Sequence, residues 1–216
     1  MTSTTRIVAL ISGGGRTVVN LHQAIARDGI PAEIVHVIAS LENLAGIERA
    51  AELELPVSIP DPGNYDHDLE QLINLQQPDL ICLCGYLKKL QLVPAWSGKV
   101  INIHPALLPA HGGKGMYGRH VHQAVLDAGD EVSGCTVHFV DEVYDHGPVL
   151  LQRSCPVETG DTPDSLAARV FQEECKAMPE AVSLMAAGRV CITGQQVEIL
   201  PEFDRPVSCR NRDADQ

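Results

Sequence analysis

Two polar residues close an otherwise apolar run, KVINIHP at 99–105: Asn102 and His104. In an extended chain, positions i and i+2 point the same way, so the amide and the imidazole share one face at a strand end. An amide NH2 donates hydrogen bonds, and an imidazole gives or takes a proton near neutral pH. Side by side they can hold a developing oxyanion and move a proton. The plainer alternative is a histidine satisfied at a strand end. Downstream, DHGP at 145–148 offers the carboxylate of Asp145 between two apolar runs. There it could pair with His104 and raise its pKa, although Asp followed by Gly and Pro is also ordinary turn chemistry. A third candidate is Ser12, Gly13, Gly14 and Gly15, between an apolar run and a helical pattern. Backbone N–H groups at a helix start attract anions; a tight turn is the other reading. No G-x-G-x-x-G is present, because the sixth position is Val18, and no Gly-Lys-Ser/Thr follows, so neither nucleotide fingerprint is met.

Nine histidines occur, with His104, His120, His122, His138 and His146 in one part of the chain. His120 and His122 fall in a predicted helix, where i and i+2 do not share a face, so no metal is expected. Cys82 and Cys84 lie inside an apolar strand with no second pair to match. The seven cysteines are irregularly spaced and read as thiols of a reducing cytoplasm.

These residues need a frame to hold them. Apolar runs at 6–12, 33–40, 56–59, 78–84 and 99–103 read as strands, with later strands at 135–140 and 149–153. Helical spacing marks 16–29, 43–54, 66–76, 117–128 and 162–188. Strands that are apolar throughout and alternate with helices predict one α/β domain. Its sheet is doubly wound and mainly parallel, with helices on both faces. Ligands bind such sheets at the C-terminal strand ends, which places the site after strands one, four and five. The Gly- and Pro-rich stretch 105–118 is long for a structural loop and is expected to be functional. The catalytic domain is placed at 1–190 and a polar C-terminal tail at 191–216, with its end, 208–216, disordered.

Composition narrows the partners. The chain has 216 residues, a net charge of −12 and a pI near 5.1. Sequence-independent nucleic-acid binding needs a basic surface and is excluded; a small anionic substrate is not. The N-terminus lacks a basic and long apolar leader, and no apolar run approaches the ~18 residues of a membrane span. A cytoplasmic protein without membrane contact is expected.

Together the motifs make a recognisable pattern. NIHPALLP at 102–109, TVHFV at 136–140 and YDHGP at 144–148 stand in an order and spacing that resembles the glycinamide ribonucleotide formyltransferases. These lie within the folate-dependent formyltransferase superfamily, whose fold is Rossmann-like, and the resemblance covers about residues 6–190. It implies transfer of a formyl group from 10-formyltetrahydrofolate to the amine of 5-phosphoribosylglycinamide in purine synthesis. It implies small-molecule substrates, no metal, and a monomer or homodimer. Asn102, His104 and Asp145 match the catalytic trio. Ser12, Gly13, Gly14 and Gly15 match the segment on the acceptor phosphate, and Glu174 an acidic residue on its ribose. Leu87, Lys88, Lys89 and Leu90 match one wall of the folate pocket; Val140, Asp141 and Tyr144 match the other.

The chain departs from the family in two places. The family loop reads Ser-Gly-x-Gly-Ser/Thr-Asn, whereas this chain reads SGGGRTV with Asn20 displaced; Arg16 is expected to supply a charged donor instead. The insert GGKGMYG at 112–118 brings Lys114 within reach of the phosphate. Because the first departure touches the acceptor side, a sugar-nucleotide amine is the alternative acceptor. A non-catalytic nucleotide-binding regulator on the same sheet is the alternative outside enzymes, and the polar trio speaks against it.

Overall fold

Each face of the first strand packs into a different core cluster. In β1 (Thr5–Ile11), Ile7, Ala9 and Ile11 pack with one group of buried side chains, Val8 and Leu10 with another, and all five are fully buried. A strand buried on both faces has no polar side to show, which is why it reads as a continuous apolar run. The computed structural model describes residues 4–201. The disordered end expected at 208–216, with Cys209, lies outside the described residues.

After β1 come α1 (Arg16–Asp28), β2 (Ala32–Ala39), α2 (Ala45–Glu52), β3 (Val57–Ser58), α3 (Tyr65–Leu75), β4 (Leu80–Leu83) and β5 (Val100–His104). Then follow α4 (Arg119–Ala128), β6 (Val132–Phe139), β7 (Val149–Pro156), α5 (Pro163–Ala186), β8 (Val190–Thr193) and β9 (Gln196–Ile199). The main sheet has the order β3-β2-β1-β4-β5-β6-β7. The pairs from β3 to β5 are parallel, and β6 and β7 join antiparallel. Leu69 and Ile73 of α3 share a cluster with Val8 and Leu10. Val18 and Leu21 of α1, and Leu166, Val170 and Met178 of α5, share the other with Ile7, Ala9 and Ile11. The result is the expected doubly wound, mainly parallel α/β sheet.

Helix ends follow local chemistry. Gly15 (φ 67°) precedes α1, and Gly29 (φ 63°) ends it in the left-handed region, where a side chain is strained. Thr162 and Ser165 form a reciprocal capping box at the start of α5, with Pro163 in its first turn.

One expectation fails. The polar tail placed from residue 191 is an antiparallel hairpin as far as Ile199, β8 with β9. Val190, Ile192 and Val197 pack against the main core. Apolar residues alternate with polar ones on either side of Gly194 (φ 58°). In strands of four residues that period is too short to stand out from a polar background.

Candidate active site

β5 delivers the two polar residues through its register. Asn102 pairs with Leu83 of β4 on one side and with His138 of β6 on the other, and His104 lies opposite Thr136. His138 Nδ1 is 2.8 Å from the Phe139 carbonyl, which only accepts, so this nitrogen carries the proton. Nε2 of the same ring is therefore left to accept from Asn102 Nδ2 at 3.0 Å. The other amide hydrogen faces Asp145 Oδ1 at 3.5 Å, a long bond that a ligand can replace.

His104 is buried. Its Nε2 donates to the His111 carbonyl at 2.9 Å, and its Nδ1 stands 3.5 Å from Asp145 Oδ2. Nδ1 is thus the nitrogen that titrates. Asp145 is in the left-handed region (φ 55°), which Asp tolerates better than most residues, and its Oδ2 accepts the Gly113 N–H at 2.9 Å. Burial pushes the His104 pKa down, and this outweighs the upward pull of Asp145 and the His111 carbonyl. The expected rise therefore does not occur: Asp145 pulls in the expected direction, but desolvation wins. For Asp145, burial pushes upward, yet contact with His138, His104 and the Gly113 N–H brings it below the ordinary carboxylate value. A neutral imidazole beside an ionised carboxylate is the resting arrangement.

The trio opens onto a cavity of about 540 Å³. Leu87, Lys88, Lys89 and Leu90, after β4, line one part, and Val140, Asp141 and Tyr144, after β6, line another. Leu90 is buried, whereas Leu87 is half-exposed. Lys88 Nζ sits 3.3 Å from the centroid of the Tyr65 ring. Asp141 is bound to the Val143 N–H and to His146 Nδ1, each at 2.8 Å. Arg16, Lys114 and Glu174 also line the cavity. The Arg16 guanidinium stacks on Phe171, 3.7 Å from the ring centroid. Burial raises the Glu174 pKa to about 7, with Arg16 pulling against it.

Ser12, Gly13, Gly14 and Gly15 border the cavity without forming its wall. Ser12 Oγ accepts the Leu87 N–H at 3.0 Å, and the Ser12 N–H donates to the Gly85 carbonyl at 3.1 Å. Gly13 accepts from the Gly46 N–H and Gly14 from Arg49. The N–H groups of Gly13, Gly14 and Gly15 make no hydrogen bond among the described residues, and no side chain caps α1. Asn20 donates to the Cys175 carbonyl at 2.9 Å, so it ties α1 to α5 instead of facing the site.

Three histidines of the site escape sequence reasoning. His138 orients Asn102 through antiparallel pairing, which no local pattern reveals. His111 contributes a backbone carbonyl, to which sequence gives no clue. His122 lines the cavity from α4 and is buried, with Nδ1 unpartnered among the described residues. A signal existed for it, since His122 shares the buried face of α4 with Val121 and Val125. His120 points away and packs edge-on against Tyr117. Among the described residues no group of three or more His, Cys, Asp or Glu could hold a metal ion, and no helix is long and apolar enough to cross a membrane. Cys82 and Cys84 are buried thiols of the core, with pKa values raised by burial.

Comparison with known proteins gives the chain its family. Residues 5–182 match the formyl transferase family. The chain is 36% identical, over 86% of its length, to the chloroplastic phosphoribosylglycinamide formyltransferase of Arabidopsis thaliana, and covers 66% of that protein. It is 36% identical over 86% of its length to the trifunctional purine biosynthetic protein adenosine-3 of Bos taurus, of which it spans only 19%. The crystal structure of glycinamide ribonucleotide transformylase 1 from Symbiobacterium toebii superposes with a TM-score of 0.84 at 34% identity, covering 92% of this chain and 95% of that one.

Proposed function

The chain belongs to the formyl transferase family, and from that premise we propose that it transfers a formyl group from 10-formyltetrahydrofolate to the amine of 5-phosphoribosylglycinamide. The observation that carries this reading is the meeting of Asn102, His104 and Asp145 at one cavity, with the 87–90 and 140–144 segments and the Arg16–Phe171–Glu174 group on its walls.

The chemistry follows from the geometry. The acceptor amine attacks the formyl carbon, and the carbonyl oxygen becomes an oxyanion. The Asn102 amide supplies a hydrogen bond to it by exchanging its long contact with Asp145. His104 Nδ1 takes up the proton that the amine loses; the imidazolium so formed is stabilised by Asp145 beside it and by the His111 carbonyl at Nε2. The proton then passes to the folate nitrogen as its bond to the formyl carbon breaks. The folate carries the activated formyl group, so this chain supplies position, charge and a proton path. On the acceptor side, the free N–H groups of Gly13, Gly14 and Gly15 at the start of α1 would hold the phosphate, aided by Arg16 or Lys114, and Glu174 would take the ribose. Leu87 to Leu90 with Val140, Asp141 and Tyr144 would enclose the pteridine.

One observation keeps a second acceptor open. The glycine loop borders the cavity rather than lining it, and this suits a longer acceptor such as a sugar-nucleotide amine. An acceptor screen with 10-formyltetrahydrofolate, read as release of tetrahydrofolate, separates the two. Asn102→Ala and His104→Ala are expected to lower turnover by about 10² or more with the fold intact. Near-native turnover in either variant would remove that residue from the mechanism, and no release with any amine would overturn the reading.

A further inference from the structure

His111 and Asp130 form a pair outside the cavity trio, with His111 Nε2 2.6 Å from Asp130 Oδ2. Asp130 follows Gly129, the left-handed cap of α4, and its N–H reaches back to the Val125 carbonyl at 3.3 Å. It is therefore fixed in the frame of that helix. His111 stands in the long loop before α4, in the left-handed backbone region (φ 54°), which a residue with a Cβ enters only at a steric cost. Beyond it the Gly113 carbonyl accepts the Met116 N–H at 3.0 Å, and Gly112, Gly113 and Gly115 offer no side chain as a further anchor. Gly113 and Gly115 have positive φ, and a Cβ placed at either would meet nothing within 4 Å.

Both catalytic partners of this loop lie within two residues of that anchor. The His111 carbonyl accepts from His104 Nε2 at 2.9 Å, and the Gly113 N–H donates to Asp145 Oδ2 at 2.9 Å. One fixes which ring nitrogen keeps its proton, and the other fixes the carboxylate opposite it. Displacing the segment would misplace both at once.

We propose that the His111–Asp130 pair is a positioning device, which pins the loop whose backbone aims His104 and Asp145 at each other. Its kinetic consequence rests on the formyl-transfer reading, whereas its structural consequence does not.

The test uses His111→Gly, Asp130→Ala and Asp130→Asn in the full chain. Glycine removes the ring yet relieves the backbone cost, so this variant separates the tether from mere strain. Two readouts are taken: kcat and KM for each substrate, and 15N NMR of histidine-labelled protein, which reports the protonation of His104 Nε2. The expectation for His111→Gly and Asp130→Ala is a fall in kcat of about tenfold or more, with both KM values within about twofold of the parent. The His104 Nε2–H signal should lose its fixed, exchange-protected character. Asp130→Asn keeps an acceptor for the imidazole N–H and should recover much of the loss. Parental kcat and unchanged His104 signals in His111→Gly would overturn the proposal. So would a fall in kcat that tracks only the folded fraction while the His104 signals stay put. If the parent protein transfers no formyl group, the NMR readout still decides the tether, so the two readings fail separately.

Discussion

Asn102 and His138 face each other across the antiparallel β5–β6 pair, joined from Nδ2 to Nε2 over 3.0 Å. The amide inherits its aim from a ring whose other nitrogen is fixed on the Phe139 carbonyl. Replacing His138 by Phe keeps the volume but leaves both the amide and that carbonyl without their partner. We expect kcat to fall by about tenfold or more, with a stability loss of about 1–3 kcal/mol for the orphaned groups. Steady-state kinetics and a chemical melt of the same sample check both, and an unchanged kcat would mean that Asn102 needs no such guide.

With His104 in the proposed role, its lowered pKa is expected to set the acid side of the pH profile. Its ordinary value is 6.5, and burial depresses it in the folded chain. If the neutral ring must take the amine proton, kcat/KM stays level near neutrality and falls as pH drops through the folded value. Asp145→Asn removes the charge that pulls this pKa upward, so the acid limb should move to still lower pH while the plateau falls. Stability carries the same sign. Below about pH 6.5 the unfolded ring binds more protons than the buried one, so this contribution shrinks as pH falls and levels off below the folded pKa. A limb that moves upward in Asp145→Asn contradicts the assignment.

Glu174 has the opposite sign. Burial raises it from 4.5 to about 7, so the folded chain binds the extra proton between those values. Its contribution to stability is complete below about pH 4.5 and is lost as pH rises through about 7. Glu174→Gln should flatten that part of a denaturation-against-pH series. Glu174→Ala should raise the KM of the acceptor by about tenfold and leave the folate KM alone. Movement of the folate KM instead would put Glu174 on the wrong side of the site.

Arg16 and Lys114 test how the acceptor anion is held. Loss of one charge-assisted bond should raise the acceptor KM roughly ten- to a hundredfold. Turnover should change less, because a phosphate on the proposed acceptor would be bound alike in ground and transition states. Arg16→Ala also abolishes the stack on Phe171, so Arg16→Lys is a useful companion. If Arg16→Ala and Lys114→Ala both leave acceptor KM unchanged, the backbone N–H groups of the glycine loop act alone.

Residues that announce themselves in the sequence are those whose role follows from local chain geometry. Asn102 and His104 share a face because a strand has a period of two, and Gly15 stands at a turn where the chain needs positive φ. The doubly wound sheet was legible because strands buried on both faces leave no polar positions. What stayed hidden depends on chain segments meeting through space. The role of His138 requires knowing that β6 runs against β5. The role of His111 passes through its carbonyl, which every residue has. The short β8–β9 hairpin owes its place to packing against a core it does not itself announce. The balance of burial over charge at His104 is likewise a property of the packed site; from sequence, only the charge of Asp145 could be anticipated.

The hydrogen bond from Asn20 to the Cys175 carbonyl joins positions 155 residues apart, and this bears on how the protein is made. During synthesis β1 leaves the ribosome well ahead of α5, which brings the apolar side chains of Leu166, Val170, Ala177 and Met178 that cover one of its faces. Until then the nascent chain carries uncovered apolar strands, the condition under which chains aggregate or engage chaperones. The cavity is completed in the same order. Residues 87–90, Asn102 and His104 exist long before Phe171 and Glu174 emerge from the exit tunnel. A stalled chain ending near residue 160 should therefore be protease-sensitive and catalytically silent even though all three members of the trio have been synthesised.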